Sequence, residues 1–418
     1  MEERHRSTAR VLAPLFVAAF FAFAYNNVFM TLSPSFAVER GLTLAEGGLQ
    51  NSVLLAVAVV LRFAFGPAAD RWGTRPVMAV GLGAFVVGGA LFPLCEAFWQ
   101  IVAVRCVQAV GLASFWSSAT TTVANVAPPE RQGWWLGLYR VVTSAALLLG
   151  PSLAFALVDA MGFAVCFWAM TAGAAVALGC VLSMRGAAVR PIAVVEGESD
   201  ASVGGTGRVQ ATGDRSVGAR LRGLVRDARA LDGPTMAVVL GGTFAAAMGY
   251  GLLFSFTRSF MGAVDPTLPA GWYFTLLGVG GLAINPFAGL LADRVSQRRL
   301  LGLWLGCAGV GVALLGLLSA ASADARWALF VLSGLLVGVG YAGTVTTAQV
   351  LASARTAVEH RASALALQQN AIDLGIACAS AVFGVVFAAA GEAATAPFFA
   401  QGALMVILGV AFIAVRRV

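Results

Sequence analysis

The 418-residue chain contains no lysine, so all 27 of its basic residues are arginine. Histidine is nearly missing too, with only His5 and His360, and charged residues make up 11% of the chain where a soluble domain carries about 25%. These shortages exclude whole classes of protein. Without lysine there is no Gly-x-x-x-x-Gly-Lys-Ser/Thr phosphate loop, which points away from ATP-driven chemistry within the chain. Two histidines, both outside the apolar runs, leave no histidine metal site and no serine–histidine pair in a membrane. The six cysteines (Cys95, Cys106, Cys166, Cys180, Cys307 and Cys378) lie in or at the ends of apolar runs without Cys-x-x-Cys spacing. They read as packing thiols rather than a disulfide framework or a zinc site. Neither an enzyme nor a protein with a cofactor or metal is expected.

What the chain has in excess is apolar length. Hydrophobic residues reach 59%, above the usual 45–50% or so, and runs of about twenty recur from end to end. Each such run can cross a hydrocarbon core of roughly 30 Å as a helix. An all-α polytopic membrane protein follows, with spans expected at 12–33, 46–66, 76–95, 98–123, 134–158, 163–183, 234–260, 270–291, 299–319, 325–350, 362–389 and 397–415. These twelve spans form two sets of six: residues 1–184 are an N-terminal bundle, 185–233 a polar central loop and 234–418 a C-terminal bundle. The basic start leads into an apolar stretch of about 22 residues, longer than a signal-peptide core and without a small-residue cleavage site, so the first helix is expected to be retained.

The net charge of +7 suggests nucleic acid only until its distribution is followed. Arg4, Arg6, Arg10, Arg71, Arg75, Arg131, the central loop, Arg294, Arg298, Arg299, Arg355, Arg361, Arg416 and Arg417 fall on one side of the spans. The other side has Arg40 and Arg326 among acidic residues. Positively charged loops stay in the cytoplasm, so both termini and the central loop are expected there. Within that loop Leu221, Leu224, Val225, Ala228 and Leu231 recur at helical spacing beside Arg220, Arg222, Arg226 and Arg229. This is either a short helix on the inner leaflet, its arginines meeting anionic lipid headgroups, or a solvated linker helix.

Two loops repeat. GPAADRWGTRP starts at Gly66 and GLLADRVSQRR at Gly289, so Asp70–Arg71 and Asp293–Arg294 are both related by an offset of 223 residues. That is the mark of a duplicated six-helix unit. Gly66, Asp70, Arg71, Gly73 and Arg75 resemble the signature loop of the major facilitator superfamily, Gly-x-x-x-Asp-Arg-x-Gly-x-Arg, and Gly289, Asp293, Arg294 and Arg298 resemble its degenerate second copy. The resemblance implies a 6 + 6 transporter fold, probing a solute from alternate sides, and a gating role for these loops as a latch between the halves. Arg105, Gln108 and Gly111 resemble the family's Arg-x-x-Gln-Gly-x-Gly element, implicated in proton coupling, with Ala109 in place of its first glycine. Gly150–Pro151 resembles the helix-packing element of antiporters, Gly-x-x-x-Gly-Pro, with Ala146 for its first glycine. The branch implied is that of bacterial efflux permeases in the cytoplasmic (inner) membrane, acting as monomers.

Charges within the spans should face a cavity or a partner. Five stand clear of the expected ends: Arg62, Arg105, Arg140, Arg258 and Asp373. Arg62 and Arg140 lie about 12–14 Å inside the cytoplasmic boundary, and Asp373 about 18 Å deep, near the midplane. Arg62 and Arg140 stand open between solute contact and structural or gating pairing; Arg258 is shallow enough to snorkel. By the repeat, Arg62 corresponds to Asn285 and Arg140 to Asn370. Asp373 shares a face with Gln369 and Asn370 and has three possible roles: a proton-titrating carboxylate, the partner of an arginine, or a water-binding group.

In the superfamily the first, fourth, seventh and tenth helices line the central cavity. The resemblance therefore makes Tyr25, Asn26, Asn27, Arg105, Tyr250, Tyr341 and Thr344 substrate-binding candidates, joined by Arg140 and Asn370, with Asp373 and Arg105 as proton-coupling candidates. The embedded charges, four arginines against one aspartate, suit an anionic or zwitterionic solute better than a cation. The expected activity is proton-coupled export of a small organic solute, anionic or neutral/zwitterionic. The alternatives are proton-coupled uptake of an organic anion such as a monocarboxylate, and a transport-inactive sensor on the same fold.

Overall fold

The computed structural model describes residues 2–128, 132–184, 233–356 and 361–414. Twelve α-helices and no strand occur among the described residues. They are α1 (Glu2–Glu39), α2 (Leu44–Trp72), α3 (Thr74–Leu91), α4 (Phe98–Val126), α5 (Gln132–Met161) and α6 (Phe163–Ser183), then α7 (Gly233–Val264), α8 (Ala270–Arg294), α9 (Gln297–Gly316), α10 (Ala323–Ala354), α11 (Arg361–Ala390) and α12 (Ala396–Ala414). Eleven are long and apolar enough over their described residues to cross a membrane. The remaining helix, α8, has 25 residues and packs as an ordinary member of its bundle. The expected spans and the helices coincide apart from their ends, where helices run on past the apolar core. The amphipathic stretch of the central loop lies outside the described residues.

The short connections are set by local chemistry. Thr43 and Glu46 form a reciprocal capping box at the start of α2: Glu46 Oε2 accepts from the Thr43 backbone N–H at 2.8 Å, and Thr43 Oγ1 accepts from the Glu46 N–H at 3.2 Å. Gly73 joins α2 to α3 with φ +89°, a conformation an L side chain rarely adopts, and its N–H still bonds the Ala69 carbonyl. The signature-loop glycine thus serves the corner itself. α9 and α12 pack through glycines facing backbone: a Cβ at Gly302 would stand 2.5 Å from the Gly409 carbonyl oxygen, and one at Gly309 2.7 Å from that of Gly402. Small residues at such crossings let helices approach closely where lipid gives no hydrophobic drive for association.

α1–α6 pack as one bundle and α7–α12 as the other, and the bundles meet mainly along α2–α11 and α5–α8. Advancing α2 and α5 by six helices gives α8 and α11, so the duplication exchanges the two contacts. On the face away from the chain termini the bundles touch directly. Ser52 Oγ donates to the Ala377 carbonyl at 2.6 Å, Asn51 Nδ2 donates to Ser255 Oγ at 3.4 Å, and Ser152 Oγ donates to the Gly271 carbonyl at 2.7 Å. A Cβ at Gly48 would fall on the Ser380 carbonyl oxygen. Toward the termini the bundles part around a cavity.

Candidate functional site

The cavity, about 900 Å³ in volume, lies between α5, α8, α10 and α11 in the half nearer the termini. Its polar lining is Arg140, Ser144, Asn285, Thr346, Gln349, Ser353 and Gln369, and Val141, Leu282, Val350 and Leu365 supply apolar wall. No carboxylate stands in that wall among the described residues. Arg140 is exposed to the cavity, has no ion-pair partner among the described residues, and reaches from the N-terminal bundle to the C-terminal one, its Nη2 donating to Gln349 Oε1 at 3.2 Å. Opposite, Thr346 Oγ1 donates to Asn285 Oδ1 at 3.2 Å. One free cation, several amide and hydroxyl groups and an apolar wall can hold an oxygen-bearing amphipathic molecule with at most one strong anionic contact.

Beside this wall sits an ion pair. Arg62 on α2 donates through Nη1 to Asp373 Oδ2 on α11, with side-chain exposures of 18% and 8%. Gln369, one turn before Asp373, lines the cavity and donates from Nε2 to Asp373 Oδ1 at 3.4 Å. Of the readings open for Asp373, the structure shows the arginine partnership. Tyr341 on α10 lies near enough to interact electrostatically with Asp373 and stacks on Tyr250 of α7 at 4.3 Å between ring centroids; Tyr250 in turn meets Phe254 at 4.4 Å.

Arg105 has a different place from the one expected. It is 1% exposed, and its guanidinium donates to Gln50 Oε1, Gln108 Oε1, the Phe29 carbonyl, Ser33 Oγ and Asn51 Oδ1, lying over the Phe92 ring at 5.0 Å. Gln108 Nε2 donates to the Tyr25 hydroxyl at 2.7 Å, and the Tyr25 ring, also 1% exposed, lies between Phe29 and Phe85. A buried cation is tolerated only when its donors are satisfied, and these bonds tie α1, α2 and α4 together. Both Arg105 and Tyr25 are therefore core of the N-terminal bundle, leaving no donor of Arg105 pointed at a solute in this conformation.

The other candidates divide. Asn26 and Asn27 are half-buried, with no side-chain hydrogen bond among the described residues; only the Asn27 carbonyl is engaged, accepting from Thr31 Oγ1 at 2.8 Å. Asn27 follows Phe23 by one turn, and Phe23 meets Trp116 of α4 at 4.0 Å. Thr344 is fully buried with an unpartnered hydroxyl, away from the cavity wall. Asn370 is half-buried and stands off that wall because its neighbour Gln369 takes the inward position. Arg258 pairs with Asp159 of α5 at 2.8 Å and lies over Phe155 and Phe163, joining the bundles on the face away from the termini.

The latch residues also separate. Arg75 bonds the Val181 carbonyl at 3.2 Å and the Leu182 carbonyl, so it caps the end of α6 within its own bundle instead of bridging to the other. Gly66 is half-buried, Arg71 and Arg294 are exposed and Arg298 is half-buried. Asp70 and Asp293 occupy the last turns of α2 and α8, and their side chains lie outside the described residues. Gly150 packs α5 against α1, where a Cβ would be 3.4 Å from Ala24 Cα, and Pro151 continues the helix beside it. Gln50, Asn51, Ser33 and Asp159 were not anticipated. The adjacent amides at 50 and 51 carry the same signal as Asn26–Asn27, polar groups inside an apolar run.

Known proteins agree with this architecture. The family described as Major Facilitator Superfamily matches residues 15–264 and 239–418. Multidrug resistance protein 3 of Bacillus subtilis is 22% identical over 38% of this chain and 31% of its own length. A probable 4-methylmuconolactone transporter of Cupriavidus pinatubonensis is 24% identical over 34% of each chain. The matched segments thus span about a third of these relatives. Among solved structures, the nucleoside transporter NupG superimposes with TM-score 0.78 over 97% of this chain and 100% of its own, at 13% identity, a likeness of fold alone. With two six-helix bundles meeting as duplicated units and the family match covering both, the chain is a multi-pass membrane protein that belongs to the Major Facilitator Superfamily.

Proposed function

We propose that this protein is a proton-coupled secondary transporter that moves a small organic solute, anionic or neutral/zwitterionic, across a bacterial cytoplasmic membrane by alternating access. The observation that carries the reading is Arg140, a cation in a cavity wall with no carboxylate among the described residues. The sequence-level excess of positive charge is narrower in three dimensions: Arg62 and Arg258 are paired, and Arg105 is enclosed in its cage. One free cation still favours a carboxylate or a zwitterion over a lone cation. The arginine-rich face, with both termini, is assigned to the cytoplasm, so the described conformation is open inward and closed outward.

Export in exchange for protons is the direction we assign, supported by Gly150–Pro151 packed against α1 and by similarity to a multidrug resistance protein. Uptake of an organic anion with a proton is the second reading, and the Arg62–Asp373 pair favours it for anions that engage Arg62. The protein works as a monomer within its lipids, with the duplicated halves supplying both walls. The test is a thermal-shift screen of the purified protein against anionic, neutral and cationic metabolites. Stabilisation by anions or zwitterions is expected; stabilisation by cations alone contradicts the assignment.

A further inference from the structure

The geometry points to Arg62 as a second anion-binding site, masked by Asp373 and opened when Asp373 takes up a proton, so that a proton and an organic carboxylate bind together. This rests on the reading of the cavity as an anion site and adds to it a partner for the proton.

Arg62 and Asp373 come from opposite bundles and are each other's ion-pair partner among the described residues. The arginine is the more exposed member, 18% against 8% for the aspartate side chain. Gln369 links the pair to the cavity, lining the one and donating to the other. Among the described residues, the groups facing Asp373 are Arg62 from α2, Gln369 on its own helix, and the phenol of Tyr341 from α10, which is backed by Tyr250 from α7. Arg62 is thus the one cation in that set. Arg140 is engaged with Gln349 and Arg258 with Asp159.

A proton from the water of the cavity adds to a carboxylate oxygen of Asp373, and the ion pair becomes a neutral acid beside an uncompensated guanidinium. Leaving that cation unpaired in a low-dielectric wall is costly. The carboxylate of a solute, entering past Gln369, takes the place of Asp373 on Arg62. No covalent bond changes; one proton and one anion enter, and the charge of the loaded site equals that of the empty one. Because the proton raises anion affinity, the anion raises proton affinity by the same factor. For a solute that uses Arg62, the two therefore travel in the same direction. Exchange against protons is left to solutes held from Arg140 alone.

The test is benzoate binding by calorimetry to the purified full-length protein, over a pH range where benzoate stays ionised. In the unsubstituted protein, affinity is expected to rise as pH falls, with about one proton taken up per benzoate bound. Asp373→Asn is expected to bind benzoate about tenfold more tightly at the alkaline end, without pH dependence or proton uptake. Adding Arg62→Gln to that variant is expected to abolish the gain, which a general loosening of the fold would not do. Asp373→Asn binding no tighter than the unsubstituted protein, or proton release on benzoate binding, overturns the masked site. Arg140→Gln leaving benzoate affinity unchanged instead overturns the cavity assignment while the Asp373→Asn gain stands. No benzoate binding to any of the proteins contradicts both.

Discussion

Arg62 on α2 and Asp373 on α11 form an ion pair that joins the two six-helix bundles beside the cavity holding Arg140. The two residues are 311 positions apart in the chain, and each lies on a helix of the inter-bundle contact. Their pairing gives α2–α11 a polar clasp near the level where direct packing between the bundles gives way to open cavity.

The clasp predicts strong coupling between the two positions. Removing one member of a mostly buried pair leaves an uncompensated charge, at a cost of about 3–5 kcal/mol. Arg62→Met or Asp373→Leu alone should lower the thermal denaturation midpoint by several degrees. The double substitution should recover most of the loss, because it leaves no charge behind. A double-substitution cycle in detergent measures this; additive losses would mean that the pair is not formed in the protein's main state.

Arg105 provides the second prediction. Lysine retains the charge but has three donors in place of five in a planar fork, so Arg105→Lys cannot reach Gln50, Gln108, Ser33, Asn51 and the Phe29 carbonyl together. A loss of about 2–4 kcal/mol in stability is expected, with solute affinity of the folded fraction changed by less than about twofold. Denaturation and solute-binding curves on the same preparation separate the two effects. A large loss of affinity without loss of stability would return Arg105 to the solute site.

The third prediction concerns the closed face. Gly48 has no room for a side chain against the Ser380 backbone, so Gly48→Leu should push α2 from α11 there and shift the population away from the state that is open toward the termini. A cysteine at Ser52 should then react faster with a membrane-impermeant maleimide added from that face, in a background where the six native cysteines are replaced. An unchanged rate would show that the contact does not hold this face shut.

Asp159–Arg258 is the contrasting case. The Asp159 side chain is 67% exposed, and exposed pairs contribute about 0–1 kcal/mol. Asp159→Asn should leave the denaturation midpoint within about 2 °C of the original. A shift as large as that of Arg62→Met would mean that the pair is shielded from water.

Much of the architecture was legible because it depends on period and length. The twelve apolar runs, the polar gap after residue 184 and the repeated Asp-Arg loops each follow from the solvent a segment meets, which sequence records directly. The site was legible only as an inventory. Arg62, Arg105, Arg140, Arg258 and Asp373 were recognisable as embedded charges, but their partners come from helices hundreds of residues away or from neighbours chosen by helix rotation. The family resemblance placed Arg105 among the substrate-binding candidates, yet three-dimensional packing turned it into the N-terminal bundle, where Gln50 and Asn51 meet it. Likewise Gln369 and Asn370 differ by one position, about 100° of rotation, and only Gln369 lines the cavity. The polar run Tyr25–Asn26–Asn27 divides: Tyr25 is core, while the side chains of Asn26 and Asn27 have no hydrogen bond among the described residues and can bond a solute.

The most direct test of the central claim, that Arg140 makes the cavity an anion site, is counterflow of labelled benzoate in proteoliposomes. The unsubstituted protein should exchange internal unlabelled for external labelled benzoate, Arg140→Gln should lose at least about tenfold in apparent affinity, and Arg140→Lys should retain part of it. Benzoate counterflow that is equal in the unsubstituted protein and in Arg140→Gln would contradict the account, as would counterflow of an organic cation in place of benzoate.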